Sequence, residues 1–168
     1  MNKQILKSTL IAAAGLLFAN SALAAEATTT FQVTATVADS CRVTATDLDF
    51  GAYDSVAATA LDGTSTITVT CTAKTPYEIG LDAGSGTPVV TTRAMTGSDG
   101  ASTQLDYELY TETGPTNVWG AISGTGTTVT QSALTGGALD YTVYGQIPAS
   151  QYVPAANYAD TINVTVDY

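Results

Sequence analysis

The sequence contains no histidine and only five lysine and arginine residues among its 168 positions. Histidine is the commonest general base and the commonest metal ligand in proteins, so its absence excludes Ser-His and Cys-His nucleophile pairs. Nucleic acids and anionic membrane surfaces are bound by basic patches, and so few bases cannot form one. We therefore predict no nucleic-acid partner, no cofactor, no metal site and no enzymatic activity.

Long hydrophobic runs are also lacking, apart from a short one near the N-terminus. Two lysines, Lys3 and Lys7, precede an apolar stretch over residues 10–18, and Ala22-Leu23-Ala24 has the A-x-A pattern of a signal-peptide cleavage site. The apolar stretch is too short to span a membrane. We predict a signal peptide over residues 1–24, with cleavage between Ala24 and Ala25 and no membrane insertion of the exported chain.

The predicted exported chain has 168 − 24 = 144 residues, which is enough for one domain with a core. Losing the two signal-peptide lysines changes the formal net charge from −10 to −12. The strong bases that remain are Arg42, Lys74 and Arg93. We interpret the acidity as a contribution to solubility.

Cysteine occurs only twice, as Cys41 and Cys71. In an exported protein, two cysteines most simply form one disulfide. The alternative is a reactive thiol or a metal site, but a metal site would need more soft ligands than two thiols. We predict a structural disulfide, which for a loop of this length contributes about 3–4 kcal/mol in the chain-entropy treatment.

Apolar and polar residues alternate along most of the chain, as expected for half-buried β-strands. Short alternating runs separated by Gly- and Pro-containing turns are typical of an antiparallel β-sandwich. Asp62-Gly63 and Gly114-Pro115 are two of these turn signals. The predicted strands cover residues 64–73, 77–81, 89–95, 105–110, 127–132, 141–147 and 162–168.

The segment between the predicted cleavage site and the first cysteine also alternates. Phe31, Val33, Ala35 and Val37 would lie on one face of a strand, with Gln32, Thr34 and Thr36 on the other. Such a strand at a free N-terminus can pair with its own domain or with a neighbouring molecule. Both possibilities stay open on this pattern alone.

Several carboxylates are close in sequence, notably Asp47 with Asp49 and Asp106 with Glu108. Residues two apart in a strand share a face, and a glycosidase needs two carboxylates across a cleft. A secreted hydrolase is therefore one hypothesis. We instead interpret both pairs as solvated strand faces, because no recognisable catalytic motif accompanies them.

Aromatic residues offer a second alternative function, a secreted carbohydrate-binding β-sandwich module. Trp119 follows Gly114-Pro115 and is predicted to lie near a loop, so it is the best candidate for an exposed aromatic residue. Tyrosines could complete a sugar-stacking surface. Most of them lie at alternating positions that are more typical of core packing.

A set of short motifs, in order along the chain, resembles the spore coat protein U domain family, the fold unit of archaic chaperone–usher pilus subunits. The motifs are Cys41-Arg42-Val43, Phe50-Gly51-Ala52-Tyr53, Thr66-Ile67-Thr68-Val69-Thr70-Cys71, Arg93-Ala94-Met95, Leu105-Asp106-Tyr107-Glu108-Leu109-Tyr110, Trp119-Gly120, Tyr141-Thr142-Val143-Tyr144-Gly145-Gln146-Ile147-Pro148 and the C-terminal run of residues 158–168.

The resemblance implies an all-β fold, an incomplete immunoglobulin-like antiparallel β-sandwich that is completed by a donor strand. It also implies a periplasmic chaperone, an outer-membrane usher and other pilin subunits as partners, with donor-strand exchange between subunits. The expected location is a cell-surface pilus reached through the periplasm, with a role in adhesion and biofilm formation. We expect residues 25–38 to be the donor segment, with Phe31, Val33, Ala35 and Val37 as its plug side chains, and residues 39–168 to be the pilin domain.

Overall fold

A computed structural model describes residues 25–100, 102–132 and 136–168. The predicted signal peptide and Ala24 lie outside the described residues. The described strands are β1 (Cys41–Ala45), β2 (Leu61–Cys71), β3 (Tyr77–Leu81), β4 (Arg93–Gly97), β5 (Gln104–Tyr110), β6 (Val129–Gln131), β7 (Gly137–Ile147), β8 (Tyr158–Ala159) and β9 (Val164–Asp167). No helix among these residues is long and apolar enough to cross a membrane.

The strands form two sheets, and all neighbouring strands within each sheet are antiparallel. A six-stranded sheet has the order β1-β2-β7-β5-β4-β8, and a three-stranded sheet has the order β6-β3-β9. The apolar positions of the alternating runs meet between them in one core, which includes Ile67, Leu109 and Val143 from the first sheet and Ile79 and Leu81 from the second. The predicted antiparallel β-sandwich is confirmed.

The chain divides into two units, residues 1–35 and residues 36–168. In the first unit, residues 25–35 carry no strand and are exposed. In the second unit, residues 36–40 are also exposed and form no strand, and β1 begins only at Cys41. The prediction of one continuous strand before the first cysteine is therefore not met within a single chain. An alternating segment becomes a strand only when a neighbour supplies backbone hydrogen bonds.

Cys41 and Cys71 are joined by a disulfide, as predicted. They are register partners, because β1 runs antiparallel to the end of β2. The bond therefore fastens β1, which is the terminal strand of the larger sheet, to its only neighbour in that sheet.

The predicted turn at Asp62-Gly63 is wrong, because both residues lie inside β2. Gly63 is the register partner of Gly145 in β7. A Cβ at Gly145 would lie 2.7 Å from Leu48 Cδ1 and 2.8 Å from Phe50 Cζ. Gly63 and Gly145 are thus required because they have no side chains, not because they form a turn. Their lack of a Cβ atom lets Leu48 and Phe50 pack directly against the sheet surface.

Several other strand boundaries differ from the predictions, and β1 was not among the predicted strands. Residues 89–92 form a turn, in which the Thr92 amide donates to the Val89 carbonyl at 3.2 Å, and β4 starts only at Arg93. The two-residue strand β8 was not predicted at all. It is too short to show alternation, and it is held by its pairing with β4.

Candidate functional site

An open groove of about 430 Å³ lies where β1 ends and β9 begins, and residues 46–48 after β1 and 158–162 before β9 form much of its lining. Ala45 of β1 and Val164 of β9 line it, and Ile67, Leu109 and Val143 from the core are also in its lining. β1 ends the larger sheet and β9 ends the smaller one. Each strand therefore presents one edge whose backbone groups have no strand partner among the described residues.

The groove lining combines apolar and polar residues. The half-buried side chain of Ile162 is part of this lining, and the polar residues in it include Thr46, Asp47, Ser65, Asp160 and Thr161. An unpaired strand edge next to an apolar trough fits an extended segment, because such a segment offers both backbone hydrogen bonds and alternating apolar side chains. The geometry therefore favours binding of a β-strand over binding of a compact small molecule.

Asp160 lines this groove and holds the connection between β8 and β9. Its Oδ1 accepts hydrogen bonds from the Ser85 amide at 2.7 Å, the Ser85 hydroxyl at 2.6 Å and the Thr161 amide at 2.7 Å, while its Oδ2 accepts one from Tyr107 Oη at 2.7 Å. Burial alone would raise the pKa of Asp160, but these donors outweigh it and hold the pKa below its ordinary value. Burial, followed by the bond to Asp160, raises the pKa of Tyr107.

The Asp160 network predicts a loss of stability in acid. A carboxyl group whose pKa is lower in the folded state adds stability above its unfolded pKa, near 3.8, and this stability is lost as the pH falls through the folded pKa. Asp160→Ala should therefore reduce the free energy of unfolding near neutral pH by on the order of 1–2 kcal/mol, allowing for partial solvent screening. The difference from wild type should shrink below about pH 4.

Chemical denaturation of both proteins across this pH range would test the prediction. Ser85→Ala is the matched control, because it removes one donor to the same carboxylate and should give a smaller change in the same window. A difference between Asp160→Ala and wild type that stays constant down to about pH 2 would contradict the assignment.

The predicted plug side chains are all exposed. Phe31 and Val33 are each 85% exposed, Val37 is 82% exposed, and Ala35 is exposed as well. Large apolar side chains of the sandwich, by contrast, are mostly buried in its core. The apolar side chains of the N-terminal segment are therefore not packed against other described residues.

The prediction that Trp119 is an exposed aromatic residue is wrong, because its side chain is 1% exposed. Its backbone amide donates to the Leu109 carbonyl at 2.8 Å, and the indole Nε1 donates to the Ile79 carbonyl at 3.0 Å. The loop after β5 thus folds back and places the ring between the sheets. The sugar-binding alternative loses the residue on which it depended.

Glu108 corrects the interpretation of Asp106 and Glu108 as one solvated face. Asp106 is exposed, but Glu108 is buried and accepts a hydrogen bond from Arg93 at 2.6 Å. Burial raises the pKa of Glu108, although Arg93 opposes this shift. Asp47 and Asp49, by contrast, are both exposed. Within the described residues, no group of three or more potential ligand side chains is placed to hold a metal ion.

Arg93 belongs to one of the family motifs in the sequence, but no role was predicted for its side chain. Its side chain is fully buried and donates to the carbonyl oxygens of Leu81, Asp82, Val90 and Trp119 as well as to Glu108. These carbonyls belong to the end of β3 and to loops. One sequence signal could have indicated this role, namely an arginine isolated in a chain with very few bases.

The described residues form an all-β sandwich with an open groove, and sequence comparison gives the family. Residues 27–165 match the Spore Coat Protein U domain, and the chain belongs to that family. Protein U of Myxococcus xanthus is 33% identical over 172 residues, covering 94% of this chain and 93% of that relative. The resemblance noted in the sequence is thereby confirmed.

Comparison with solved structures gives the fold. The CsuC–CsuE chaperone–tip adhesion subunit pre-assembly complex, from the archaic chaperone–usher Csu pili of Acinetobacter baumannii, contains a chain that superposes with a TM-score of 0.57 at 23% identity. The match covers 79% of this chain and 41% of the chain from the Csu complex. This protein therefore spans about two fifths of the length of that chain. This likeness shows that the sandwich has the fold of a domain found in that complex.

Proposed function

We propose that this protein is a structural, non-enzymatic subunit of an extracellular chaperone–usher pilus and that it polymerises by donor-strand exchange. Residues 25–38 of one copy occupy the groove between β1 and β9 of the next. The observation that carries this proposal is the presence, in one chain, of an exposed alternating segment and an open, partly apolar groove beside the terminal strands β1 and β9.

The apolar residues of the segment suit the interior of the groove. Burying Phe31, Val33, Ala35 and Val37 contributes on the order of 5–8 kcal/mol by surface-area estimates. Backbone hydrogen bonds to the edges of β1 and β9 add a smaller net stabilisation and set the register. Because leaving the groove exposes all four side chains together, we expect dissociation to be slow.

The same geometry accounts for the proposed partners. A sandwich with unpaired strand edges next to an open groove is prone to aggregation before assembly. A periplasmic chaperone would cover the groove, and an outer-membrane usher would exchange that cover for the segment of the next subunit. Export through the periplasm to the cell surface, followed by adhesion and biofilm formation, completes the proposed role.

Complementary variants would test the exchange directly. Val33→Asp should disable the donor segment and leave the groove intact, whereas Ile162→Asp should place a charge in the groove and leave the donor intact. Each variant alone should remain monomeric. A mixture of the two should give dimers and no longer chains, because only one donor–groove pair can form.

Thr165→Asp is the control for the groove variant, because Thr165 is exposed and lies on the outward face of β9. It should polymerise like wild type. The dimers can be counted by gel electrophoresis without heating. Long polymers from either disabled variant alone, or no dimer from the mixture of folded proteins, would contradict the proposal.

A further inference from the structure

A continuous chain of hydrogen bonds surrounds the point where the N-terminal segment joins the sandwich. The Ser40 amide donates to Thr72 Oγ1 at 3.2 Å, the Thr72 and Thr75 hydroxyl oxygens are 2.7 Å apart, and Thr75 Oγ1 donates to Asp39 Oδ1 at 2.9 Å. Since each hydroxyl has one proton, Thr72 donates to Thr75. We call Asp39, Ser40, Thr72 and Thr75 the exit clasp.

The exit clasp arises where the β1–β2 ladder ends. Cys41 and Cys71 are the last register pair, and the Thr72 amide still donates to the Ser40 carbonyl at 2.9 Å. The chain then turns away from β1, with Lys74 at φ 67° and the Thr75 amide 3.3 Å from the Thr72 carbonyl. This turn places the Thr75 hydroxyl within hydrogen-bond distance of Asp39.

The exit clasp is held to the sandwich at two points. Thr75 is only 4% exposed, and the disulfide lies one residue beyond Ser40. A chain of hydroxyl groups that ends on a carboxylate is stronger than isolated neutral hydrogen bonds, because charge strengthens the last bond and polarises the others. The backbone at Asp39 and Ser40 is therefore fixed to the sandwich even though both residues are exposed.

This anchoring leaves almost no linker between the sandwich and the predicted plugs. Val37 is the last plug, and only Ala38 separates it from Asp39. Two residue steps span at most about 7 Å of extended chain. A segment inserted in another molecule up to Val37 would therefore hold that molecule close to this sandwich.

We propose that the exit clasp is a positioning site that fixes the direction in which the N-terminal segment leaves the sandwich, and thereby restricts bending between consecutive subunits. Asp39 is its key residue, because it is the carboxylate on which the hydrogen-bond chain ends. This inference rests on the proposed function and adds that the exit clasp contributes to the stiffness of the fibre.

Electron microscopy of fibres from wild type, Asp39→Ala and Asp39→Asn tests the inference through their persistence length. Asp39→Ala removes the acceptor for the Thr75 hydroxyl, but its fibres should still assemble. Their persistence length should fall by about twofold or more, because the released segment would act as a flexible linker between subunits. Asp39→Asn keeps an Oδ1 acceptor and should stay close to wild type. A merely structural role of Asp39 would change the stability of the subunit and leave the bending of assembled fibres unchanged.

A second pair of variants, Thr75→Val and Thr75→Ser, keeps the test decisive if Asp39→Ala does not assemble. Valine should shorten the persistence length because it lacks the hydroxyl, and serine should preserve it. Equal persistence lengths for wild type and the alanine or valine variant would overturn this inference alone. Absence of any fibres from the wild-type protein would overturn the proposed function and this inference with it.

Discussion

Val33→Asp is expected to abolish polymerisation, whereas Thr34→Asp should leave it close to wild type. The two changes introduce the same charge one residue apart in the exposed N-terminal segment. In an extended strand they face opposite sides, so only the first would place a carboxylate in the apolar groove. An unpaired charge there costs more than the lost apolar burial, and the donor segment should no longer be retained.

Deleting residues 31–37 should have the same effect, because it removes all four plugs. The sandwich should remain folded, since its core is built from residues after Cys41. The measurement is the yield of polymer on an unheated gel, with circular dichroism of each variant to show that the sandwich is retained. Equal polymer yields from Val33→Asp and Thr34→Asp would show that the alternating face has no role.

Arg93→Met is expected to lower the free energy of unfolding by about 3–5 kcal/mol. The substitution leaves Glu108 as a buried charge without its partner and removes the donor from four carbonyl groups. Arg93→Lys should recover only part of the loss, because an ammonium group cannot reproduce the planar fork that contacts several acceptors together.

A double variant separates the ion pair from the carbonyl contacts. Arg93→Met combined with Glu108→Leu removes both charges, and it should be more stable than Arg93→Met alone because no buried charge is left unpaired. Urea denaturation in the Val33→Asp background keeps all the proteins monomeric for this comparison. A loss of less than about 1 kcal/mol for Arg93→Met would contradict the importance assigned to this side chain.

Alternation in the sequence predicted which faces of the main strands are apolar. Ile67 and Val69 of β2 and Leu105 and Leu109 of β5 are buried as that pattern requires. Alternation carries no information about what covers the opposite face. Glu108 lies on a face predicted to be solvated, but it is buried and paired with Arg93 of the adjacent strand β4.

Trp119 shows the same limit for loops. Its position after Gly114-Pro115 indicated a loop correctly, but closeness to a loop does not decide exposure. The ring is buried because the chain returns to pair with the end of β5, a contact that no local pattern encodes. Gly63 and Gly145 are a similar case, since the role of each glycine depends on a partner strand and on Leu48 and Phe50.

The groove could not be predicted from residue patterns, because it is defined by the order of strands in two sheets. The family resemblance implied an incomplete sandwich, but the sequence alone does not show which two edges are free. The candidate donor segment was visible at once, because four alternating apolar residues before the first cysteine need no tertiary information to be recognised. Its pairing in a second molecule remains a prediction.

The most direct test of donor-strand exchange is an electrophoresis gel of the wild-type protein in SDS, made together with its chaperone and usher, with unheated and boiled samples side by side. Subunits locked by an inserted strand should give a ladder of polymers without heating, and the ladder should collapse to one monomer band on boiling. A single monomer band in both lanes, from protein shown to be folded, would contradict the account.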